Sequence, residues 1–199
     1  MKRRYFLLLF TLIVFCHDTH AQKNGYIDSL TKFQKAYADS HEIVKPADKK
    51  YSKFYPVNSS YQVLARFEKI TDSAGFIMKT SGSKLPTYFR YGNVFFQIGK
   101  IDLKLTVYQS RDLMNNPQYK DYLFIPFTDL TSGETSYAGG RYLDLLISDI
   151  SNNNLLIDFN KAYNPYCAYA TGFNCPIPPR ENNLSIDIKA GEMNFGKTH

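Results

Sequence analysis

The stretch PTYFRYGNVFFQIGKIDLKLTV, residues 86–107, carries the clearest structural signal in the chain. Apolar residues at the odd positions from Ile101 to Val107 alternate with polar ones, and a period of two is typical of a strand with one buried face. Upstream, the pair Gly92-Asn93 separates two aromatic runs, which is a hairpin signal. The stretch therefore predicts consecutive antiparallel strands, with a turn at residues 91–93.

The same period recurs along the chain. Val63, Ala65 and Phe67 alternate with Leu64, Arg66 and Glu68, and residues 184–189 alternate between apolar and polar side chains. Short apolar runs predict further strands: GFIMKT from residue 75, DYLFIPF from 121, YLDLLI from 142 and LLIDF from 155. No long helices alternate with these strands, as they would in a parallel α/β protein. The sequence thus predicts a mostly β fold, either an antiparallel β-barrel or a sandwich.

One helix precedes the strands. Apolar side chains at Tyr26, Ile27, Leu30, Phe33 and Tyr37 fall on one helical face, and the pattern ends near residues 40–41. We expect this N-terminal helix to cover a face or an open end of the sheet.

The first 21 residues predict a secretory signal peptide. Three basic residues, at positions 2–4, precede the apolar run YFLLLFTLIVFC at residues 5–16, which is too short to cross a bilayer. We expect cleavage after Ala21, leaving residues 22–199 as a single mostly β domain without a transmembrane segment. Acylation at Cys16 is less favoured, because bulky Phe15 stands where a lipoprotein needs a small residue. The protein should therefore be exported, either periplasmic or secreted.

Charge argues against nucleic acid as a partner. Removal of residues 1–21 lowers the formal net charge from +6 to about +4, and Lys49-Lys50 is the only adjacent basic pair that remains. Nucleic-acid binding needs a basic patch near stacking aromatic residues. The positive charges of this chain are scattered and form no such patch, and an exported protein has little opportunity to meet nucleic acid.

The small number of histidines disfavours several catalytic mechanisms. His17 and His20 lie in the predicted signal peptide, and His199 is the last residue, so only His41 remains within the domain. A serine triad, a cysteine-histidine nucleophile and a histidine-rich zinc site are therefore disfavoured. No spacing matches a calcium-binding loop, and we expect neither a metal nor a cofactor.

Carboxylates are the groups that remain for chemistry. Asp129, Glu134, Asp158 and Glu192 lie beside Gly, Asn or Thr at predicted strand ends, where loops often carry function. Two converging carboxylates could act as acid and base, whereas the simpler interpretation is that they cap turns and pair with arginines. Gly139-Gly140 followed by arginine could hold an anion, or could form an ordinary turn.

The last third of the chain resembles a known family. The residues that carry the resemblance recur in order: Thr131-Ser132-Gly133, Tyr137, Gly140-Arg141-Tyr142, Asp158-Phe159-Asn160, Asn164-Pro165, Cys167-Ala168, Cys175-Pro176, Pro178-Pro179, Asn182, Leu184 and Ala190-Gly191-Glu192. They resemble the signature of the bacterial proteins grouped as domain of unknown function 1684. The segment FYPVNSSYQVLARFE at residues 54–68 resembles the N-terminal part of the same family. The resemblance implies a shared fold but no activity.

One departure from the family pattern lowers the rank of Glu134 among the candidate site residues. A Glu-Thr pair usually precedes the tyrosine that matches Tyr137, whereas here Thr135 and Ser136 fill those positions and Glu134 lies one residue earlier. Glu134 therefore ranks below four other candidates for a binding or catalytic site: Asp129, Arg141, Asp158 and Asn160.

A long connection at residues 160–183, here called the proline-rich segment, has little strand or helix pattern of its own. Cys167 and Cys175 lie within it and are the only cysteines after residue 21, which favours a disulfide in an oxidising compartment over a reactive thiol or a metal pair. Long loops are often functional. The segment is either structural reinforcement or a rigid lid over a pocket formed with Asp129, Arg141 and Asp158.

Two functions remain open from the sequence. The first is an exported β-domain that binds a small molecule, a carbohydrate or a component of the cell envelope. The second is a hydrolase or lyase in which Asp129 or Asp158 acts as acid or base and Arg141 holds an anionic group. An envelope scaffold without a pocket is a third possibility.

Overall fold

The computed structural model describes residues 23–197. Helix α1 occupies residues 23–40. The strands are β1 Gln62–Lys69, β2 Phe76–Ile77, β3 Thr87–Ile98, β4 Ile101–Ser110, β5 Tyr122–Phe127, β6 Arg141–Leu146, β7 Ile150–Ser151 and β8 Asn154–Asp158, and the short helix α2 Arg111–Met114 follows β4. Short 3-10 turns lie at Pro46–Tyr51, Ser59–Tyr61, Ile147–Asp149, Phe159–Lys161, Tyr166–Ala168 and Arg180–Asn182.

The eight strands form one antiparallel sheet. Its order is β6-β5-β4-β3-β1-β8-β7, with β2 paired to β3. Neighbours in sequence are mostly neighbours in the sheet. The exceptions are β1, which lies between β3 and β8, and the consecutive strands β6 and β7, which lie at opposite ends. The predicted mostly β fold with an N-terminal helix is confirmed. Within residues 23–197 the sheet remains open, because no strand pairing joins β6 to β7.

One apolar core lies inside the curved sheet. Alternate side chains of six strands meet there, and among the completely buried ones are Ala65, Val94, Leu105, Ile125 and Ile157. The strand periodicity is responsible, since residues two apart share a face. The opposite faces of β5, β6 and β8 point outward, and their side chains are free to build a surface site.

The predicted turn at residues 91–93 is wrong. Strand β3 continues through it with a bulge between Arg90 and Gly92, and the hairpin turn falls at Gly99 and Lys100. Gly99 has a φ of +62°, which suits the first position of a two-residue turn. Gly92 is instead required by packing, because an added Cβ would lie 2.4 Å from the ring of Phe67.

Two predicted strands are shorter or less regular than expected. Only residues 76–77 of the 75–80 run join the sheet, because residues 79–81 bond to the proline-rich segment through Ile177 and Cys175. Residues 184–189 keep the alternating burial but form no regular strand. There the backbone of Ile188 bonds to the side chains of Asp129 and Arg141 instead of to a neighbouring strand.

Helix α1 lies where it was predicted. Leu30 and Gln34 form its buried face, and the Gln34 amide donates to the Asn160 carbonyl at 3.2 Å. No helix in the described range is both long and apolar enough to span a membrane. The predicted signal peptide, including Cys16 and the cleavage position, lies outside the described residues.

Candidate functional site

An open cleft of about 1030 Å³ lies between helix α1 and the sheet. Phe33 and Tyr37 of α1 form one wall. The opposite wall comes from both sides of the opening in the sheet, with Tyr142 and Asp144 from β6 and Leu156 from β8. Within the described residues, β6 pairs with no strand across this opening, and β8 pairs on that side only with the two-residue strand β7. The cleft is therefore a consequence of the incomplete closure of the sheet.

The proline-rich segment forms the third wall. Cys167 and Cys175 form a disulfide with a Cα–Cα distance of 6.3 Å, as expected. Pro165, Tyr166 and Pro176 from the same segment line the cleft. Proline rings and a cross-link both restrict the backbone, so this wall is held in one conformation.

Tyr163 joins the proline-rich segment to the sheet. Its backbone exchanges two hydrogen bonds with Tyr142 on the open edge of β6, at 2.9 and 3.1 Å. Its phenol donates to Asp144 Oδ2 at 2.7 Å. The rings of Tyr37, Tyr163 and Tyr142 follow one another with centroid separations of 6.0 and 5.8 Å. A row of aromatic rings thus leads through the cleft to a carboxylate.

Asp144 is the carboxylate at the centre of this arrangement. Its side chain keeps contact with solvent, but the concave walls place many protein atoms around it. The resulting loss of hydration raises the pKa of Asp144, while the hydrogen bonds from Tyr122 and Tyr163 act in the opposite direction. Burial also raises the pKa of Tyr163, so its phenol remains a proton donor at neutral pH.

His41 closes one end of the cleft. Its Nδ1 accepts hydrogen bonds from the backbone amides of Ile43 and Val44, both at 3.3 Å. The proton of the neutral ring therefore resides on Nε2, which has no hydrogen-bond partner within residues 23–197. Burial lowers the pKa of His41 and favours this neutral form. The ring packs against Tyr37 and Tyr166, at centroid distances of 5.5 and 5.8 Å.

Asp158 and Asn160 form a junction between β8 and helix α1. Asp158 borders the cleft and accepts hydrogen bonds from Tyr26 at 2.9 Å and from the Asn160 backbone amide at 3.0 Å. Asn160 is completely buried and bonds to both backbone groups of Asn58. Most of the hydrogen-bonding capacity of both side chains is therefore used within the protein.

Asp129 and Arg141 pair with each other away from the cleft. Arg141 Nη2 lies 2.8 Å from Asp129 Oδ2, and both side chains are completely buried. The guanidinium also donates to the carbonyls of Ile188, Ala190 and Glu192. Neither residue lines the cleft, and the pair shares no hydrogen-bond partner with Asp158 or Asn160. The four predicted site residues thus form two separate pairs.

The sequence reasoning missed the residues that line most of the cleft. In the run YLDLLI, the strand period places Tyr142 and Asp144 on the same outward face, and this signal was available. The contact between Asp144 and Tyr163 joins positions 19 residues apart and needed the tertiary structure. Within residues 23–197, no group of three or more His, Cys, Asp or Glu side chains is placed to bind a metal ion.

Comparisons with known proteins agree with the resemblance seen in the sequence. A family model described as "Protein of unknown function (DUF1684)" matches residues 50–193. Among curated proteins, no sequence matches this chain. A solution NMR structure of an uncharacterized protein from Haloarcula marismortui is similar, with a TM-score of 0.63 and 26% sequence identity over 89% of this chain and 96% of that chain. On the strength of the family match, this chain belongs to the DUF1684 family of proteins of unknown function.

Proposed function

We propose that this chain is an exported β-domain that binds a small organic molecule, such as a carbohydrate or a component of the cell envelope, in the cleft beside helix α1. The observation that carries this proposal is the cleft itself. Its volume of about 1030 Å³ lies at the upper end of the range for small-molecule sites, and its walls combine aromatic rings with a few polar groups.

The walls are suited to binding without a large rearrangement. Tyr163 is fixed by its backbone pairing to Tyr142, and the disulfide fixes the segment that follows. A preformed site binds more tightly than one that must be ordered first, because less conformational entropy is lost on binding. The proline-rich segment then serves as a rigid wall of the site.

Export is supported by two independent features. The basic start and the apolar run at residues 5–16 have the form of a signal peptide. The disulfide between Cys167 and Cys175 suits an oxidising compartment, since intracellular reductants keep most thiols reduced. A ligand met outside the cytoplasm is consistent with both.

A thermal-shift screen of the mature protein tests the proposal. Compounds from several classes, including oligosaccharides and envelope fragments, should raise the Tm where they bind, because a ligand of the folded state stabilises that state. Phe33→Ala removes an exposed ring from the cleft wall and should reduce this shift, whereas Leu85→Ala removes an exposed apolar side chain outside the cleft and should not. A screen in which no class of compound raises the Tm would overturn the proposal.

The alternative, a carboxylate-dependent hydrolase or lyase using Asp129 or Asp158 with Arg141, draws its support from Asp158, which borders the cleft. Asp129 and Arg141 are completely buried, so a substrate would have to displace the protein to reach them. If a hydrolase panel yields an activity, Asp158→Asn should abolish it. Unchanged activity in Asp158→Asn and Asp129→Asn would exclude this assignment.

A further inference from the structure

The charge of the cleft is opposite to that of the chain. The whole chain has 24 basic residues against 18 acidic ones. Among residues 23–197, four carboxylates nevertheless line the cleft, those of Glu42, Asp144, Asp149 and Asp158, against a single cation, Lys161. Like charges gathered in a concave site focus the electrostatic field and attract a ligand of the opposite sign.

These carboxylates lack cationic partners. Within residues 23–197, no lysine or arginine nitrogen lies within 4 Å of any of the four, although other carboxylates, such as Glu181 and Asp129, have such partners. Asp158 is occupied by internal hydrogen bonds. Asp144 differs, because it is exposed to solvent and its hydrogen-bond donors among residues 23–197 are two phenols, those of Tyr163 and Tyr122. It therefore has capacity to accept further donors.

The aromatic wall is suited to the same kind of ligand. The face of an aromatic ring attracts a cation, and the attraction grows when the cation is shielded from water. One example exists in the cleft already, since the ammonium group of Lys161 lies 5.8 Å from the centroid of the Phe33 ring. The rings of Tyr37 and Tyr163 continue this wall towards Asp144.

His41 borders the cleft without supplying a donor to it. The residue is 8% exposed, and its Nε2 atom is buried and has no hydrogen-bond partner among the described residues. The cleft thus presents carboxylates and aromatic faces, which together suit an amine whose body can stack on a ring.

We infer that the cleft binds an organic ligand through a protonated amine, with the ammonium group paired to Asp144 and the body of the ligand stacked on Tyr37 and Tyr163. This inference rests on the proposed function and specifies its ligand class. Amino sugars and aryl-substituted amines both present this chemistry, an ammonium group beside a face that can stack.

Two matched charge series test the inference by calorimetric titration of the mature, disulfide-bonded protein. The sugar series is a glucosamine tetramer, an N-acetylglucosamine tetramer and a galacturonate tetramer; the aryl series is 2-phenylethylamine, 2-phenylethanol and phenylacetate. At about pH 6 both amines are protonated. The amine of at least one series should bind about fivefold or more tightly than its neutral and anionic counterparts, because charge-assisted hydrogen bonds exceed neutral ones. Preference for one series identifies the source of the amine.

Two variants locate the binding. Asp144→Asn should weaken amine binding by roughly tenfold, whereas Asp102→Asn, which removes the same charge outside the cleft, should leave it unchanged. Lys161→Gln removes the competing cation and should strengthen amine binding by roughly twofold, with Lys104→Gln as its control. A variant that tightens binding cannot be explained by damage to the fold.

The outcomes separate the two proposals. If neutral or anionic members bind as tightly as the amines, or if only unrelated compounds from the wider screen bind, the inference about amines is overturned and ligand binding in the cleft stands. If no compound from the two charge series or from the wider screen binds, the inference about amines and the proposed ligand-binding function are both overturned. Amine binding that is insensitive to Asp144→Asn and Lys161→Gln would also contradict the assignment to this cleft.

Discussion

Arg141 joins separate parts of the chain through one guanidinium group. It pairs with Asp129 after β5 and donates to three carbonyls in residues 188–192. A buried charge is costly unless it is paired and hydrogen-bonded, and here Asp129 supplies the opposite charge. Arg141 and Asp129 thus act as a structural cross-link that holds residues 188–192 against the sheet.

Asp129→Asn should destabilise the protein strongly. The substitution keeps the shape of the side chain but leaves the Arg141 charge buried without a counter-charge, which costs roughly 3–5 kcal/mol. Urea unfolding monitored by tyrosine fluorescence measures the change. Asp102→Asn, on the exposed end of the β3–β4 hairpin, serves as the control and should change stability by less than about 0.5 kcal/mol. A stable Asp129→Asn variant would contradict the structural role.

Glu192 should make stability depend on pH. Its carboxylate is buried and accepts hydrogen bonds from the Tyr169 phenol and from the backbone N–H of Asn164, and the positive charge of Arg141 lies nearby. Burial raises the pKa of Glu192 to about 7. The folded state therefore holds a proton that the unfolded state has already released between about pH 4.5 and 7, so the contribution of Glu192 to the free energy of unfolding should fall as pH rises through this window. The lowered pKa of His41 contributes with the opposite sign.

Urea unfolding at several pH values between about 5 and 8 measures this slope, which for one group cannot exceed about 1.4 kcal/mol per pH unit. Glu192→Gln should remove the Glu192 contribution and flatten the curve. Glu134→Gln, at an exposed glutamate, should leave the slope as it is. Equal slopes in the wild type and Glu192→Gln would show that Glu192 does not titrate in this range.

Helix α1 is held in place by a junction of polar side chains. Tyr26 donates to Asp158 and accepts from Asn160, while Gln34 reaches the Asn160 carbonyl. These contacts place α1 across the end of β8, where Phe33 and Tyr37 can form a wall of the cleft. The position of the helix, and hence the width of the cleft, is set by residues that contact no ligand in our proposal.

Tyr26→Phe should loosen the helix without unfolding the sheet. It removes one hydroxyl that bridges Asp158 and Asn160, at a cost of roughly 1 kcal/mol. Hydrogen exchange should show faster exchange in residues 23–40 and little change in β3 and β4. Tyr119→Phe, at an exposed tyrosine, is the matched control. Unchanged exchange in the helix would mean that apolar contacts alone hold it.

The disulfide restricts the backbone of the proline-rich segment. Replacing both Cys167 and Cys175 by alanine opens a loop of eight positions and should cost roughly 2–3 kcal/mol through the entropy of the unfolded chain. Denaturant unfolding of the double variant measures this cost. Alkylation of the unreduced mature protein should label no cysteine, and two labels per molecule would contradict the cross-link.

At the scale of the whole molecule, the open sheet creates the cleft. Strands β6 and β8 border the opening without pairing to each other, and helix α1 and the proline-rich segment cover it from outside. A closed barrel would leave no comparable groove on this side. Alternate residues of the same strands point to the core and to the cleft, although Leu143 belongs to the core and also borders the cleft.

The mature protein should begin at Gln22. We expect mass spectrometry of the protein recovered from the envelope or medium of its host to show loss of residues 1–21, since a small residue at position 21 suits the cleaving peptidase. Ala21→Arg should block this cleavage, whereas a substitution after the cleavage position, such as Asn24→Gln, should not. A retained N-terminus, or a lipid-modified mass starting at Cys16, would contradict this prediction.

The mostly β fold and the N-terminal helix could be predicted from the amino-acid sequence, because local periodicity acts over a few positions. The family followed from the resemblance of residues that recur in order, and the short spacing of the two cysteines favoured a disulfide. Gly92 shows the limit of such rules: its turn-like neighbourhood predicts a hairpin, but the ring of Phe67 explains the missing side chain.

The tertiary structure was needed to show which polar residues line the cleft and which are buried as structural pairs. Asp129 and Arg141 look like a site in sequence, yet they are buried as a pair because residues 188–192 fold over them. Asp144 becomes the central carboxylate of the cleft because Tyr163, far along the chain, is brought to it by pairing with β6. Burial and charge pairing depend on contacts between segments that are distant in the chain, and such contacts cannot be predicted from sequence periodicity.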